Sequence, residues 1–338
     1  MSAATDATAI GLGRRTIAVM VLIPVVVTLA LCAFAWPAAR TAPRDLPLGV
    51  AGPAAATAAV EQGLARHEGA FEVHRYEDAA AARAAVEDRD VYGAVVVTPR
   101  GTELLTASAA SPVVAGLLRE AVSAQAPAGT TVPVTDVVAA PAGDPRGAVL
   151  ASTLLPLTLA GAAAGVITTL LGLRGGRAVA TLSGAAMLAG LVGATLADTW
   201  LGALNGNWWA EAGILGLTVL AIGATFAGLA ALLGKPGLGV GALLMVLIGN
   251  PFSGVSSAPE LLPTAVGTLG QWLPPGAGGS ALRSVSSFGG AAAGGPLLVL
   301  ALWAAAGLTA TLLGARRRRA VPETAPVQAP VPVPVSAG

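Results

Sequence analysis

Few side chains in this sequence combine a reactive group with the spacing that catalysis or metal binding requires. His67 and His74 are seven residues apart on two different expected elements, and no cysteine or carboxylate pattern around them resembles a metal site. Gly49–Gly52 lacks the glycine spacing of a dinucleotide loop, and the acidic run 87–90 is most simply a helix end and a turn. The single cysteine, Cys32, lies among apolar residues and is expected to serve packing. We therefore predict no catalytic, cofactor-binding or metal-binding residue, and no enzyme.

The composition is that of a membrane protein carrying one water-soluble insert. Of the 338 residues, 54% are hydrophobic and only 11% are charged, against about 25% charged in soluble domains. The charged residues are unevenly distributed, because 22 of the 37 fall between Arg40 and Arg146. Their dense grouping predicts a soluble domain over 40–146, inserted between membrane segments.

A bilayer crossing needs about 20 apolar residues, and six segments qualify. The first, Thr16–Ala39, is expected to be a retained anchor, because its apolar run is longer than the 7–15 residue core of a cleaved signal. The predicted fold is an all-α bundle of six transmembrane helices with an extracytoplasmic α/β domain between helices 1 and 2. The other five segments are Gly147–Leu173, Ala178–Ala197, Ala212–Gly234, Pro236–Pro259 and Ser284–Ala315.

The distribution of cations predicts the orientation in the plasma membrane. The loop 201–209 has no cation and is flanked by tryptophans, as expected on the outer side. A cytoplasmic N-terminus, 1–15, and a cytoplasmic C-terminal tail, 316–338, leave the α/β domain and the segment 250–290 outside. That orientation keeps these cations inside: Arg14, Arg15, Arg174, Arg177, Lys235 and Arg316–Arg319.

The insert alternates between strand and helix patterns. LPLGVAG and FEVHRY predict strands, VYGAVVVT predicts a central strand, and TELLTAS and TVPVTDVV predict two more. Helical patterns fall between them, and one begins at Pro112, a residue favoured in a first turn. The alternation predicts a compact α/β domain with four or five strands.

The broken apolar segment 250–290 holds the functional candidates. Irregular backbone at membrane depth is tolerated only when it is buried in protein or lines a wet cavity. We therefore expect a helical hairpin dipping into the outer leaflet, with Glu260 and Arg283 at its watery rim. The candidate residues are Asn250, Pro251, Gly254, Pro259, Glu260, Pro263, Pro274 and Arg283.

Within this hairpin the spacing predicts one short amphipathic helix over SAPELLPTAVGTLGQWL. Pro274-Pro275 is expected to end that helix, and a second short piece to begin at GGSALRSVSSF. The residues expected to share the apolar face of the helix are Leu261, Leu262, Val266, Leu269 and Leu273.

The apolar spans carry no ionisable residue at their centres. Ion-coupled carriers usually place one there, so its lack argues against a proton or ion relay within the spans. Asp198 and Glu211 lie near the outer boundary, where we expect capping and solvated placement. Gly161–Gly165 forms a GxxxG element, which predicts close packing inside the chain or between two copies.

The layout resembles the ABC-2 type permease superfamily, and most closely its phage-infection-protein-like (YhgE/Pip) branch. The resemblance is carried by LPLGVAG and YGAVVV in the insert and by NPFSG, PELLP, LPPG and ALR in the hairpin. It implies a membrane role in export or envelope-related transport, without catalytic residues. The alternative is a non-transporting receptor or scaffold whose extracytoplasmic domain binds a partner.

The chain departs from ABC-2 exporters where those bind their ATPase. The cytoplasmic loop between the second and third spans is only LRGGR, and the chain has no GxxxxGK[ST] motif for ATP. The expected partners are the lipid bilayer, a second copy in a homodimer and a separate ATPase subunit, for which these loops offer little docking area. Arg316–Arg319 is expected to face anionic lipid rather than nucleic acid.

Overall fold

The computed structural model describes the backbone of residues 2–99, 101–125 and 131–319, and side chains between Thr16 and Arg316. The expected Pro-rich tail therefore lies outside the described residues from Ala320 onward. The order is α1 (Ser2–Ala38), β1 (Leu46–Ala51), α2 (Ala54–Ala65), β2 (Phe71–Tyr76), α3 (Ala79–Glu87), β3 (Gly93–Thr98), β4 (Gly101–Thr106), α4 (Pro112–Gln125), β5 (Val134–Asp136), α5 (Ala148–Leu170), α6 (Gly176–Ala194), α7 (Trp208–Leu233), α8 (Lys235–Ala242), α9 (Thr264–Gln271), α10 (Pro274–Ser287) and α11 (Gly294–Arg319).

The insert folds into a five-stranded mixed sheet with helices on both faces. The strand order is β2-β1-β3-β4-β5, and β4 pairs antiparallel with β3 while the other pairs are parallel. β1 and β3 are central and almost wholly buried, which explains their continuous apolar sequence. All five predicted strands are confirmed.

The alternation of side chains divides the α/β domain into two apolar cores. On one face, α3 packs Ala82 and Val86 against Val96 of β3. On the other face, α2 and α4 cover Leu48 and Val95. Both cores also contain residues of the segment 250–290, so they extend beyond the inserted domain.

Within the part of the chain that the structure describes, five helices have the length and apolar composition of membrane spans. Among them α7 is the central helix, buried along most of its length against α5, α6 and α11, while the apolar part of α1 is fully exposed. These five helices are compatible with a multi-pass membrane protein. The five spans are Thr16–Ala38, Ala148–Leu170, Gly176–Trp200, Trp208–Leu233 and Gly294–Arg316.

The expected span Pro236–Pro259 is shorter than predicted. α8 continues into a π-helical turn, Leu243–Gly249, and the helical stretch ends there. At 1.5 Å per residue the stretch Lys235–Gly249 covers about 22 Å, less than the ~30 Å hydrocarbon layer. The six-span count is therefore not confirmed.

The hairpin is helical, but its helices begin and end at other residues than expected. α9 begins only at Thr264, because Pro259–Leu261 forms a separate 3₁₀ turn. Leu269 is exposed, so the predicted apolar face is wrong at that residue. Pro274 and Pro275 begin α10 instead of ending a helix, since proline lacks only an N–H that the first turn leaves free.

The GxxxG element brings α5 against the central helix α7 within the chain. A Cβ added at Gly165 would lie 2.5 Å from both the Gly223 carbonyl oxygen and Phe226 Cβ, whereas one added at Gly184 of α6 meets nothing within 4 Å. This close approach confirms tight packing inside the chain.

We expect Gly165→Leu to lower the apparent Tm of the purified protein by about 5 °C or more, because the side chain must push α5 away from α7. Gly184→Leu is the matched control and should leave Tm nearly unchanged. A thermal melt of both variants in the same detergent is the measurement. Equal melting of the two variants would contradict this packing.

Candidate functional site

The hairpin, residues 250–290, packs directly against the start of the α/β domain. The Ala42 N–H donates to the Leu261 carbonyl at 3.0 Å, and the Arg44 N–H donates to the Glu260 carbonyl at 2.9 Å. The Arg44 guanidinium also donates to the Leu261 carbonyl, at 2.9 Å. These bonds fix the chain that enters β1 to the 3₁₀ turn of the hairpin.

Apolar residues of the hairpin complete both cores of the α/β domain. Leu261 is fully buried in the core that contains Leu46 and Leu48. Phe288, at the other end of the hairpin, lies in the core formed by α3. Burying such side chains contributes about 1.5–3 kcal/mol each, so the hairpin and the domain form one packed body.

Between these two apolar contacts lies a partly buried polar cluster, which we call the junction: Arg89, Tyr92, Glu260, Arg283 and Ser284. Tyr92 precedes β3, and its hydroxyl donates to Glu260 Oε2 at 2.6 Å. Burial and then the neighbouring Glu260 carboxylate raise the pKa of the Tyr92 hydroxyl well above its usual value. Tyr92 is therefore a neutral hydrogen-bond donor to the Glu260 carboxyl group.

Arg89 crosses from the α/β domain to α10. Its Nη1 donates to the Ser284 hydroxyl and to the Ser280 carbonyl at 3.2 Å, and its guanidinium lies 5.1 Å from the centre of the Phe288 ring. Burial lowers the pKa of the Arg89 guanidinium. Its φ of +66° lies in the left-handed region, which is unfavourable for a residue other than glycine. The contacts with α10 offset that backbone cost.

Arg283 is the most deeply buried charge of the junction, with 6% of its surface exposed. Its Nη2 donates to the Val255 carbonyl at 2.9 Å. Burial lowers the pKa of the Arg283 guanidinium to about 10, although the neighbouring Tyr92 and Glu260 act in the opposite direction. The expected watery rim is thus wrong for Arg283, because both the hairpin and the α/β domain cover it.

The other predicted site residues shape the hairpin backbone. Gly254 has a φ of +65°, and a Cβ there would lie 2.6 Å from the Pro259 nitrogen. The Asn250 carbonyl accepts the Ser253 hydroxyl at 2.7 Å. Prolines begin the helical pieces that follow: Pro251, Pro259, Pro263 and Pro274 lie at or just before the start of the two 3₁₀ turns (Pro251–Ser253 and Pro259–Leu261), α9 and α10. These residues set the turns that bring Glu260 and Arg283 together with the α/β domain.

The α/β-domain half of the junction was missed at the sequence level. Arg89 lies in the acidic run 87–90, which predicts only a helix end, and Tyr92 lies in a strand pattern. Glu260, the hydrogen-bond partner of Tyr92, lies 168 residues further along the chain, and Ser284, a partner of Arg89, lies 195 residues further. No spacing rule connects such distant residues, so only the fold identifies them.

Glu211 also differs from expectation. It is completely buried in the first turns of α7, where its Oε1 accepts the Gly206 N–H at 2.9 Å. Asn207 caps the same helix by accepting the Ala210 N–H at 3.1 Å. Asn207 is thus the cap of α7, while Glu211 bonds to the loop before it. Solvated placement is wrong for Glu211, because that loop folds over the carboxylate.

The junction holds charges in a packed interface. Among the described residues, no three His, Cys, Asp or Glu side chains lie together as metal ligands. Two cations, one carboxylate and a neutral phenol instead lie close together, with the phenol bonded to the carboxylate and each guanidinium bonded to groups of the hairpin. Such an arrangement can fix the relative position of two elements.

No family model matches the chain, and no curated protein or solved structure matches it. The role of the junction is therefore argued from its geometry, and the resemblance to ABC-2 permeases rests on the sequence patterns and the layout.

Raising the pH should weaken the junction through Tyr92. An unfolded tyrosine ionises near pH 10.0, whereas the folded hydroxyl keeps its proton, so stability declines above that pH. Arg283 acts in the opposite sense, because its folded pKa lies below its unfolded value of 12.5. We expect Tm to fall less steeply above about pH 10 in Tyr92→Phe than in the parent. The slopes of the free energy of unfolding against pH should differ by up to about 1 kcal/mol per pH unit.

This difference is read from Tm against pH, with the slopes around neutral pH as the internal control. Parallel curves for the parent and Tyr92→Phe throughout the alkaline range would contradict a protonated, buried Tyr92.

Proposed function

We propose that the chain is a permease-like membrane protein of the ABC-2 type that serves in export or envelope-related transport. The observation that carries this proposal is the continuity from the α/β domain through the hairpin to the central helix. α10 packs Ala277 and Ala281 into the core around α7, and a Cβ at Gly278 would lie 2.5 Å from Thr218 Oγ1. Packed interfaces transmit displacements instead of absorbing them. A movement of the α/β domain would therefore reach α7 through the hairpin.

The proposed topology has six crossings with both chain ends in the cytoplasm and the α/β domain outside the plasma membrane. α8 and its π-helical turn return the chain from the far end of α7 to the hairpin. The crossing that α8 begins is short, because the hairpin packs beside α7 and meets the end of that crossing. A homodimer is proposed as the assembled form, since the exposed α1 contributes little to the bundle of a single chain.

A second candidate, a receptor or scaffold without transport activity, is favoured by one specific feature. α5 ends at Leu170 and α6 begins at Gly176, so only residues 171–175 connect them. This connection has no helix on which an ATPase could dock. An ATPase partner would have to bind elsewhere, whereas a receptor needs only the α/β domain.

Deletion of the gene distinguishes the two candidates. If the chain is a transporter, the deletion strain should differ in its accumulation of, or sensitivity to, members of a panel of lipids, peptides and toxic compounds. The parent chain should restore the original behaviour, and a variant with the junction disrupted should not. A pull-down on the intact protein should then recover an ATPase. An unchanged phenotype across the panel, with only an extracytoplasmic protein recovered, would favour the receptor.

The topology is tested separately with single cysteines in a Cys32→Ala background. Glu68, exposed in the α/β domain, and Arg174, exposed between α5 and α6, are each replaced by cysteine. A membrane-impermeant maleimide should label Glu68→Cys in intact cells and Arg174→Cys only after permeabilisation. The opposite pattern would overturn the proposed orientation.

A further inference from the structure

The α/β domain contains a large cavity on the face of the sheet that carries α2 and α4. Its volume is about 1240 Å³. The walls are mainly apolar and come from every layer of the domain: Leu48 of β1, Val60 and Leu64 of α2, Val95 of β3, and Leu118 and Val122 of α4, with His67 after α2 also contributing. The partly exposed walls are those of the two helices, while Leu48 and Val95 of the sheet beneath them are buried.

This volume is large enough for a ligand bigger than water or a small metabolite. Pockets for drug-sized ligands measure about 300–1,000 Å³, so this cavity exceeds their upper range. Its apolar lining lies along both helices and is open to the surroundings, so a chain-like apolar ligand would bury that lining along α2 and α4.

One end of the cavity is polar. Thr98, Thr102 and Glu103 contribute to its lining where β3 turns into β4, and Gln125 does so at the end of α4. β1 begins beside the hairpin and β3 runs parallel to it, so this end of the sheet is the one furthest from the hairpin. Glu103 Oε1 accepts a hydrogen bond from the Thr135 hydroxyl at 2.6 Å, which fixes the carboxylate in place.

The polar end selects a class of headgroup. Carboxylate oxygens accept hydrogen bonds, so Glu103 favours a headgroup that donates them over an anionic one. The charged residues of the domain 40–146 reinforce this preference, since 13 are acidic and 9 are basic.

We propose that the cavity binds a single-chain amphiphile, with its long apolar chain between α2 and α4 and a neutral or cationic, hydrogen-bond-donating headgroup at Glu103. The proposal is independent of the transport role, because it requires only the α/β domain within the intact chain. The same chemistry is available from a membrane lipid or from a free amphiphile in the surrounding water.

Photo-crosslinking of the full chain in lipid nanodiscs tests the proposal. The probes are octadecylamine and stearic acid carrying the same diazirine on the chain, added either from water or within the nanodisc lipids. We expect the amine to label cavity peptides at least about five-fold more than the acid. The route of addition that gives the stronger labelling identifies the source of the ligand, either the water or the bilayer.

Two matched pairs of variants locate the site. Val122→Trp should fill the cavity and reduce labelling at least about five-fold, while Val113→Trp, on an exposed position of the same helix, should not. Glu103→Gln should remove the preference for the amine and keep the labelling, with Tm confirming that each variant is folded. Labelling outside the cavity, insensitivity to Val122→Trp, or equal labelling by both probes of the parent would overturn the proposal. If Val122→Trp fails to fold, Val60→Trp gives the same test from α2.

Discussion

Glu260→Gln is expected to destabilise the protein by about 2–3 kcal/mol, because it removes the carboxylate from a junction that contains one buried and one partly buried guanidinium. Arg89 and Arg283 would then face each other without an anion, and the Tyr92 hydroxyl would lose a charge-assisted bond. The backbone bond from the Arg44 N–H to the Glu260 carbonyl stays intact in this variant. The loss is therefore specific to the charge, and it should appear as a lower apparent Tm.

A double-mutant cycle separates the charge effect from general damage. Arg283→Met alone removes the most buried cation and its bond to the Val255 carbonyl, and should also destabilise. Combined with Glu260→Gln it should cost less than the sum of the two single changes, since the double variant has one cation and one anion fewer. Glu120→Gln, an exposed position on α4, is the matched control. Strict additivity of the two changes would argue that Glu260 and Arg283 do not share one electrostatic network.

The sequence predicts those parts of the fold that depend on local pattern. The strand β3 is recognisable because a β-branched run suits a central strand buried on both faces, and five spans follow from hydropathy alone. The helix boundaries of the hairpin are less predictable, because Pro274-Pro275 can end one helix or begin the next. Only the packing of α10 against α7 decides between these two outcomes.

Only the hairpin half of the junction could be predicted from the sequence. Glu260 and Arg283 are conspicuous as the two charges of an apolar stretch, so the sequence indicates where on the hairpin to look. Their partners give no signal, because Arg89 and Tyr92 belong to local patterns of a turn and a strand. A buried charge network depends on which surfaces meet, and that information lies in the tertiary packing of segments far apart in the chain.

The hairpin also has a steric requirement that the charges do not reveal. Gly270, on α9, lies so close to the Phe252 carbonyl oxygen that any Cβ would overlap it, and Gly267 is held similarly against the Pro259 carbonyl. Both contacts are with backbone, which cannot rotate away as a side chain can. α9 is therefore held against the two 3₁₀ turns by the lack of side chains at these positions.

We expect Gly270→Ala to lower the apparent Tm by about 5 °C or more, because one added methyl group must separate α9 from the turn at Phe252. The same substitution at Gly213, where a Cβ on the exposed side of α7 meets nothing within 4 Å, should raise helix propensity and leave Tm equal or slightly higher. The opposite signs make the pair informative, since helix propensity favours alanine at both sites. If Gly270→Ala melted like Gly213→Ala, α9 would not be packed against the turn, and the path proposed from the α/β domain to α7 would lose its middle element.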